Sequence, residues 1–354
     1  MGFRFLNAGA LAGLAAALLL AAHPALAQSS GESPLTRPAG EAATPPMWRV
    51  VDADSEIFLL GTFHILPPGL EWRSDSLAAA LDAADTLWFE AEIDTPAAKQ
   101  KTFQILMTEG FNPAGKALSG MLDPADAAKF RTIVESLGLP LKAVDPMRPW
   151  QAFLTLSVQF IVKEGFDPAS GVETVLLSEA RAGGRTLKFF ETVEEQLRLF
   201  SNLSPQAEKD LLVTTLREWD QHTDDFDDLF IAWSKGDVGA IDAMMNEDIR
   251  EAAPEVYDVL VTKRNAAWAK TIAAEMAGAG TELVAVGAGH LAGEGSVPAL
   301  LKAKGFKVER YGVPDDDAAE GTPPAANDNA PEDANDDAIG DLLEDLDTDE
   351  KNEQ

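Results

Sequence analysis

The sequence predicts an α+β fold, close to α/β, in which a mixed β-sheet is built from both ends of the core with a helical insertion between them. Two observations lead to this prediction. A strand-like apolar run followed by Gly-x-x-His occurs twice, ending at His64 and at His290, and each copy continues as a helix and then a strand. The chain between the copies, from Thr95 to Gly280, has mostly helical periodicity.

The first copy begins with a strand over 57–60 and continues through Gly61-Thr62-Phe63-His64 into a proline-rich loop. A helix is expected over 75–84 and a second strand over 86–93. Glycine at the end of a strand permits a sharp turn, which would present the histidine at the carboxyl edge of the sheet. Open α/β sheets bind their ligands at that edge.

The second copy repeats this order near the other end of the core. A strand over 283–286 leads into Gly287-Ala288-Gly289-His290, a helix is expected over 297–304 with Gly305 as its cap, and a strand follows over 306–311. Strand–helix–strand units favour parallel pairing with a right-handed crossover. The two histidines are therefore expected to lie side by side.

The middle of the chain supplies the helical insertion. Proline and capping residues mark helix starts at Asp123 and Arg148. A further strand is expected over 186–190. The expected helices span 123–137, 148–163, 172–182, 193–203, 223–235, 238–246 and 255–276.

Residues 1–27 have the pattern of a secretory signal peptide. Arg4 supplies a positive charge, an apolar stretch follows over 8–22, and Ala25-Leu26-Ala27 is a small-x-small cleavage site. A transmembrane anchor is the alternative, but the stretch is short for a bilayer span and no basic cluster follows it. The sequence therefore predicts a periplasmic or secreted protein, without a stable membrane anchor after cleavage.

Composition divides the rest of the chain into three parts. Residues 28–46 are rich in Ser, Gly, Pro, Thr and Ala, which favours a flexible leader. Residues 315–354 carry 16 acidic residues against one base, Lys351, and have no aromatic residue, which favours a disordered acidic tail. A single globular domain is expected over 47–314.

Composition also limits the function. The chain has no cysteine, which excludes thiolate catalysis and leaves histidine, carboxylate, amide and carbonyl groups as metal ligands. The formal net charge of −31 argues against nucleic acid as a partner. Composition does not identify the substrate, whether a peptide or a small molecule.

The strand over 86–93 carries an unusual carboxylate. Its alternation places Glu90 on the same face as Trp88, in an otherwise apolar run, where an unpaired charge would be costly. A metal, another cation or an arginine would remove that cost. Two histidines and one carboxylate are a common set for a divalent first-row metal, so the sequence predicts a metal at His64, Glu90 and His290. Glu92 and Asp94 are explained equally well as the solvated end of the strand.

Other candidates leave alternatives open. Arg264 could bind a substrate carboxylate or stabilise an oxyanion, or it could form a surface ion pair. Glu191 could be a catalytic carboxylate, could support the site by holding one of its residues, or could cap the helix that follows, and Glu173 and Glu294 have the same interpretations. His222 lies at a polar helix boundary and is expected outside the site. The catalytic candidates are thus Glu90, Arg264 and Glu191.

Five segments carry a resemblance to a known family: 58–64, 89–90, 190–197, 264–268 and 286–306. They resemble the TraB/PrgY/GumN family over nearly the whole core, in particular its GumN-like bacterial branch, which is related to the Tiki metalloproteases. The resemblance implies a manganese- or cobalt-type metal site and peptide hydrolysis. The residues of this chain that match the site are His64, Glu90 and His290.

The expected function is that of an exported, metal-dependent hydrolase-like protein. A divalent ion of the Mn, Co or Zn type would activate water for the hydrolysis of a peptide or amide bond. Two alternatives remain. The same residues could serve a non-catalytic protein that binds metal, haem or a small ligand, or an accessory factor for envelope polysaccharide.

The signal peptide gives a first prediction. Since Ala25-Leu26-Ala27 follows a short apolar run, cleavage is expected after Ala27, so the mature protein begins at Gln28. N-terminal sequencing of the protein recovered from the periplasmic fraction measures this directly. Recovery of an intact Met1 in the membrane pellet would contradict it.

Overall fold

The computed structural model describes residues 43–313, without the side chains of residues 221–223, 248 and 252. The predicted signal peptide, the tail over 315–354 and the leader up to residue 42 lie outside the described residues. Residues 43–46, which composition assigned to the leader, are packed on the domain: Ala43 is fully buried, and Pro46 O accepts a hydrogen bond from Gly61 N at 2.8 Å. A composition rich in proline and alanine does not distinguish such a packed segment from a flexible one.

A six-stranded mixed sheet forms the centre of the fold, as the sequence predicts. Its strands are β1 Met47–Val51, β2 Ser55–Thr62, β3 Thr86–Ala91, β4 Thr186–Glu191, β5 Gly280–Gly287 and β6 Lys307–Arg310. Their order across the sheet is β4-β3-β5-β2-β1-β6. Neighbours from β4 to β2 pair in parallel, whereas β1 pairs antiparallel with both β2 and β6.

The two strands of each Gly-x-x-His unit run in the same direction but are not neighbours. Strand β5 lies between β2 and β3, and β2 and β1 lie between β5 and β6. Strand β5 takes the central place because residues 283–286 are apolar and at most 1% exposed, as is typical of a parallel strand covered on both faces. Strand β1 was not predicted, since its residues directly follow the leader composition.

The strands alternate between two hydrophobic layers, one on each face of the sheet. Phe58 and Phe89 belong to the larger layer, and Leu59 and Trp88 to the smaller one. The predicted alternation is therefore confirmed over Thr86–Ala91, where the strand ends two residues earlier than predicted, and both of its faces are buried. Glu90 lies at a buried position of this strand.

The helices surround this sheet and fill the middle of the chain. Most lie where the sequence predicts them, and Pro96–Glu109 and Pro205–Glu218 add to the predicted helical region. The α-helices of the described residues are α1 Asp75–Ala83, α2 Pro96–Glu109, α3 Pro124–Ser136, α4 Leu141–Val144, α5 Pro149–Lys163, α6 Val172–Ala182, α7 Val193–Ser201, α8 Pro205–Glu218, α9 His222–Lys235, α10 Val238–Asp242, α11 Asp248–Ala252, α12 Pro254–Tyr257, α13 Lys263–Glu275 and α14 Val297–Ala303. In the part of the chain that the structure describes, none of the helices is long and apolar enough to cross a membrane.

Two predicted helices are interrupted. The helix expected over 238–246 changes from α to π geometry at Ala243–Glu247, and the one expected over 255–276 contains a second π segment at Asp258–Thr262. A π segment widens the turn by one residue and is often found at functional sites. Here the second π segment leads directly into α13, the helix that carries Arg264 and Asn265.

Candidate metal centre

The ends of β2 and β5 bring the two Gly-x-x-His turns together. Thr62 pairs with Gly287 at the end of the ladder, and Glu90 arrives on β3 from the other side of β5. A methyl carbon placed on Gly287 would lie 3.2 Å from His64 Nε2, 3.3 Å from Glu90 Oε1 and 3.7 Å from His290 Cδ2. The structure therefore gathers the three predicted residues around the α-carbon of Gly287.

The two motif glycines serve close approach. A methyl carbon on Gly61 would lie 2.9 Å from Pro46 Cγ and 3.2 Å from Ala288 Cα, so this glycine lets the β2 and β5 ends pack together. Gly287 faces the side chains of the site and has an ordinary φ of −51°. Glycine is therefore not needed at these positions for a sharp turn, as was expected. It is needed because a side chain would not fit.

Glu90 is the buried charge of the site, with 6% of its surface exposed. Its Oε1 accepts a hydrogen bond from Gly287 N at 2.8 Å. Its Oε2 accepts from Gln196 Nε2 at 3.0 Å and from Arg264 Nη2 at 2.7 Å. Burial raises the pKa of Glu90, but Arg264, His290, His64 and the Gly287 N–H together outweigh burial, and the pKa falls to about 2.

Arg264 forms a buried ion pair, so the alternative of a surface pair is wrong. It is 4% exposed, and its Nε and Nη2 donate to the two carboxylate oxygens of Glu191 at 2.8 and 3.0 Å. Its Nη1 donates to Leu260 O at 3.2 Å and lies 2.9 Å from His290 Nε2. Burial lowers the pKa of Arg264, but Glu90 and Glu191 raise it further above its usual value.

These contacts use all five N–H groups of the Arg264 guanidinium. A substrate oxyanion would find no free donor there without the loss of an existing bond. Arg264 therefore acts on the site through its charge and by holding Glu90.

Glu191 belongs to this network and does not cap a helix. The cap of α7 is Thr192, which forms a capping box with Glu195. Glu191 instead accepts hydrogen bonds from Arg264 and, at 3.1 Å, from Trp268 Nε1. Its role is to anchor the guanidinium through Nε and Nη2, the second of which also donates to Glu90.

Gln196 is a site residue that the sequence analysis missed. It is 6% exposed and donates to Glu90 from the first turns of α7. The buried face of this helix includes Val193, Leu197 and Phe200. A polar residue at an apolar position of a capped amphipathic helix was the signal that could have identified it.

His64 is held by a carboxylate. Its Nδ1 lies 2.7 Å from Glu173 Oε1 in an ion-pair contact, and Thr62 Oγ1 donates a hydrogen bond to the same oxygen. Its Nε2 is buried and has no hydrogen-bond partner among residues 43–313. Burial lowers the pKa of His64, but Glu173 outweighs that effect and raises the pKa to about 8.

Close packing at the start of α6 places Glu173 beside His64. Val172 N donates to Phe63 O at 3.1 Å. A methyl carbon on Gly171 would lie 1.9 Å from His64 O. Only glycine at position 171 therefore lets the backbone of this segment come so close to the histidine turn. Glu173 was an open candidate in the sequence, and the structure places it in the site.

His290 is held by an amide. Its Nδ1 lies 2.7 Å from Asn265 Oδ1, and its ring packs 4.6 Å from the ring of Trp268. Burial, and after it the Arg264 charge, lower the pKa of His290 to about 3, so the imidazole is neutral at physiological pH. The two motif histidines therefore differ in partner and in protonation.

The ligand atoms of His64, Glu90 and Glu173 lie within 4.8 Å of one another, which is the spacing of a metal-binding cluster. With His64 neutral, as it must be for its Nε2 to bind an ion, Glu90, Glu173 and Glu191 contribute −3 and Arg264 +1 at formal charge, which leaves −2 around the site. A divalent cation would balance that charge. A histidine that meets a carboxylate through one nitrogen and offers the other nitrogen is a common metal ligand. The residues therefore fit a divalent metal.

His290 lies next to this triad, with its Nε2 directed to Arg264. Its role as a ligand stays a prediction. Among the remaining candidates, Glu92 and Asp94 pair with Arg181 at 2.7 and 2.6 Å, and Glu294 is exposed. Helix α9 begins at His222, whose side chain lies outside the description.

Fold and site together define a mixed α+β protein with a buried histidine–carboxylate cluster at the ends of its central parallel strands. The chain belongs to the TraB/PrgY/gumN family, whose profile matches residues 46–310. The family resemblance of the sequence is thus confirmed, while the relation to Tiki metalloproteases stays a prediction.

Two relatives match most of the domain. The uncharacterized protein YbaP of Escherichia coli (strain K12) is 25% identical over 262 residues, which cover 72% of this chain and 92% of the relative. The protein of the same name from Shigella flexneri is 26% identical over 247 residues, which cover 69% of this chain and 87% of the relative. No solved structure matches the chain.

The buried ion pair gives a second prediction. Replacement of Arg264→Met leaves Glu90 and Glu191 buried without a positive partner, so the free energy of unfolding should fall by about 3–5 kcal/mol. Urea denaturation at neutral pH measures the change. The control is Arg198→Met, which removes a 46%-exposed arginine from its pair with Glu194 and should cost less than about 1 kcal/mol. Equal losses in both variants would contradict the prediction.

Proposed function

We propose that this chain is an exported, metal-dependent hydrolase that cleaves peptide or amide bonds. One observation carries the proposal: a buried cluster of His64, Glu90 and Glu173 combines an unpartnered imidazole nitrogen with an excess of negative charge. Export rests on the sequence pattern of residues 1–27.

His64 Nε2 and Glu90 would hold the ion, and Glu173 would orient the ring of His64 from its Nδ1 side. A divalent ion bound there supplies Lewis acidity and lowers the pKa of coordinated water. Glu173 Oε2 is buried and has no partner among the described residues, so it can accept a proton from an attacking water. Glu90 is kept ionised and fixed in place by Arg264, Gln196 and Gly287 N.

A non-catalytic metal-binding protein is the second candidate. The observation in its favour is burial: the side chains of His64, Glu90 and Glu173 are each less than a tenth exposed. In an enzyme, the carbonyl of the substrate must reach the reacting atoms of the site. A stored or structural ion needs no such access for a substrate.

Metal binding and turnover test the proposal together. Purified protein should bind one Mn²⁺, Co²⁺ or Zn²⁺ ion in calorimetry and should cleave members of a broad peptide library. His64→Ala should abolish both without unfolding the domain, because loss of a metal ligand removes most of the affinity. His222→Ala is the matched control and should retain both.

The outcomes separate the two candidates. Metal binding without turnover of any peptide would favour the binding protein. Full metal content in His64→Ala would contradict the proposed site.

The protonation of His64 gives a pH dependence. Its pKa of about 8 means that the imidazole carries a proton at neutral pH, and an ion can bind Nε2 only after that proton leaves. The logarithm of metal affinity should therefore rise by about one for each pH unit up to pH 8 and level off above it. Calorimetric titrations of zinc between pH 6 and 9 measure this.

A variant identifies the group responsible. Glu173→Gln removes the carboxylate that raises the pKa of His64, so the pH at which affinity levels off should move down. An affinity that stays constant across this range in the wild-type protein would show that His64 is not the proton-releasing ligand.

A further inference from the structure

A chain of four hydrogen bonds crosses the site beside the metal-binding triad. Asn265 Nδ2 donates to Gly295 O at 2.8 Å, and Asn265 Oδ1 lies 2.7 Å from His290 Nδ1. On the other side of the ring, His290 Nε2 lies 2.9 Å from Arg264 Nη1. Arg264 then donates through Nη2 to Glu90 Oε2 at 2.7 Å.

The two ends of this chain determine every hydrogen position within it. A carbonyl oxygen such as Gly295 O only accepts, so the Asn265 amide must present its NH₂ group there and its oxygen to His290. A guanidinium only donates, so His290 Nε2 must accept from Arg264. The proton of the His290 ring is therefore on Nδ1.

The opposite tautomer conflicts with both neighbours. It would set an Nε2–H against an Arg264 N–H, and the lone pair of Nδ1 against Asn265 Oδ1. Asn265 is completely buried and His290 is 3% exposed, so water cannot relieve either conflict.

We propose that Asn265 is a positioning residue of the site. Together with Arg264 it selects the Nδ1–H tautomer of His290, in which Nε2 carries the lone pair that accepts from Arg264. His290 in turn holds the guanidinium that orients Glu90. The assignment of the tautomer stands alone, whereas its effect on metal affinity rests on the proposed function.

The corresponding contact at His64 uses a different group. There the Nδ1 atom meets the carboxylate of Glu173, which carries charge, whereas the Asn265 amide carries none. The two Gly-x-x-His motifs thus share one geometry, in which Nδ1 of each ring contacts a side-chain oxygen. They differ in whether that oxygen belongs to a carboxylate or to an amide.

Nuclear magnetic resonance tests the tautomer directly. Long-range ¹H–¹⁵N spectra of the metal-free, ¹⁵N-labelled full chain distinguish a protonated ring nitrogen from an unprotonated one. The signals of His290 are identified by their absence from the spectrum of His290→Gln. We expect Nδ1 to be protonated and Nε2 unprotonated, and the opposite pattern, or protonation of both nitrogens at neutral pH, would overturn the proposal without any other variant.

The role of Asn265 is tested with a matched pair of variants. Asn265→Ala should raise the Nε2–H fraction of His290 and weaken zinc binding by about 10- to 100-fold, the effect typical of groups that orient a metal site. Asn246→Ala is the control, because Asn246 is 2% exposed and bonds the same loop at Gly289 O and Ala292 O. It should leave the tautomer unchanged.

Each result has one meaning. An unchanged tautomer and zinc affinity in Asn265→Ala would overturn the positioning role, as would equal effects in Asn246→Ala. If the wild-type protein binds no zinc at all, the proposed function fails while the tautomer measurement still decides the assignment of His290.

Discussion

The ion pair between Glu90 and Arg264 is the constraint on which the site depends. A carboxylate on a strand buried on both faces is stable only if a compensating charge and several hydrogen bonds reach it. The fold supplies them from three directions: Arg264 from α13, Gln196 from α7 and Gly287 N from the neighbouring strand. Each of these elements must dock correctly before the charge is satisfied, so the same interaction stabilises the fold and assembles the site.

The duplicated motif gives two histidines with unequal chemistry. Both rings are anchored through Nδ1, which is how proteins commonly orient an imidazole. At His64 the anchor is a carboxylate and Nε2 has no partner, so this ring can exchange a proton for a metal ion. At His290 the anchor is an amide and Nε2 faces Arg264, so this ring works as a neutral acceptor.

Periodicity and spacing were enough to predict five of the six strands, most of the helices and the meeting of His64, His290 and Glu90. Those features depend on local patterns and on the rule that parallel strands end at one edge. Glu173, Gln196 and Asn265 were not assigned their roles, because each acts through a partner distant in sequence: Glu90 and Gln196 are 106 residues apart. The sequence also did not show why residue 287 must be glycine, since only the folded structure shows that three side chains of the site lie against it.

The wide sequence separation of the site residues has a consequence for how the protein is made. Glu90 meets Arg264 174 residues later and Gly287 197 residues later, so these contacts cannot form until nearly the whole domain has been synthesised. A chain still emerging from the ribosome or from a translocation channel carries His64 and Glu90 but cannot bring them to Gly287. The proposed metal site is therefore complete only when the whole domain has folded, and the compartment in which that happens determines which ions are available to it.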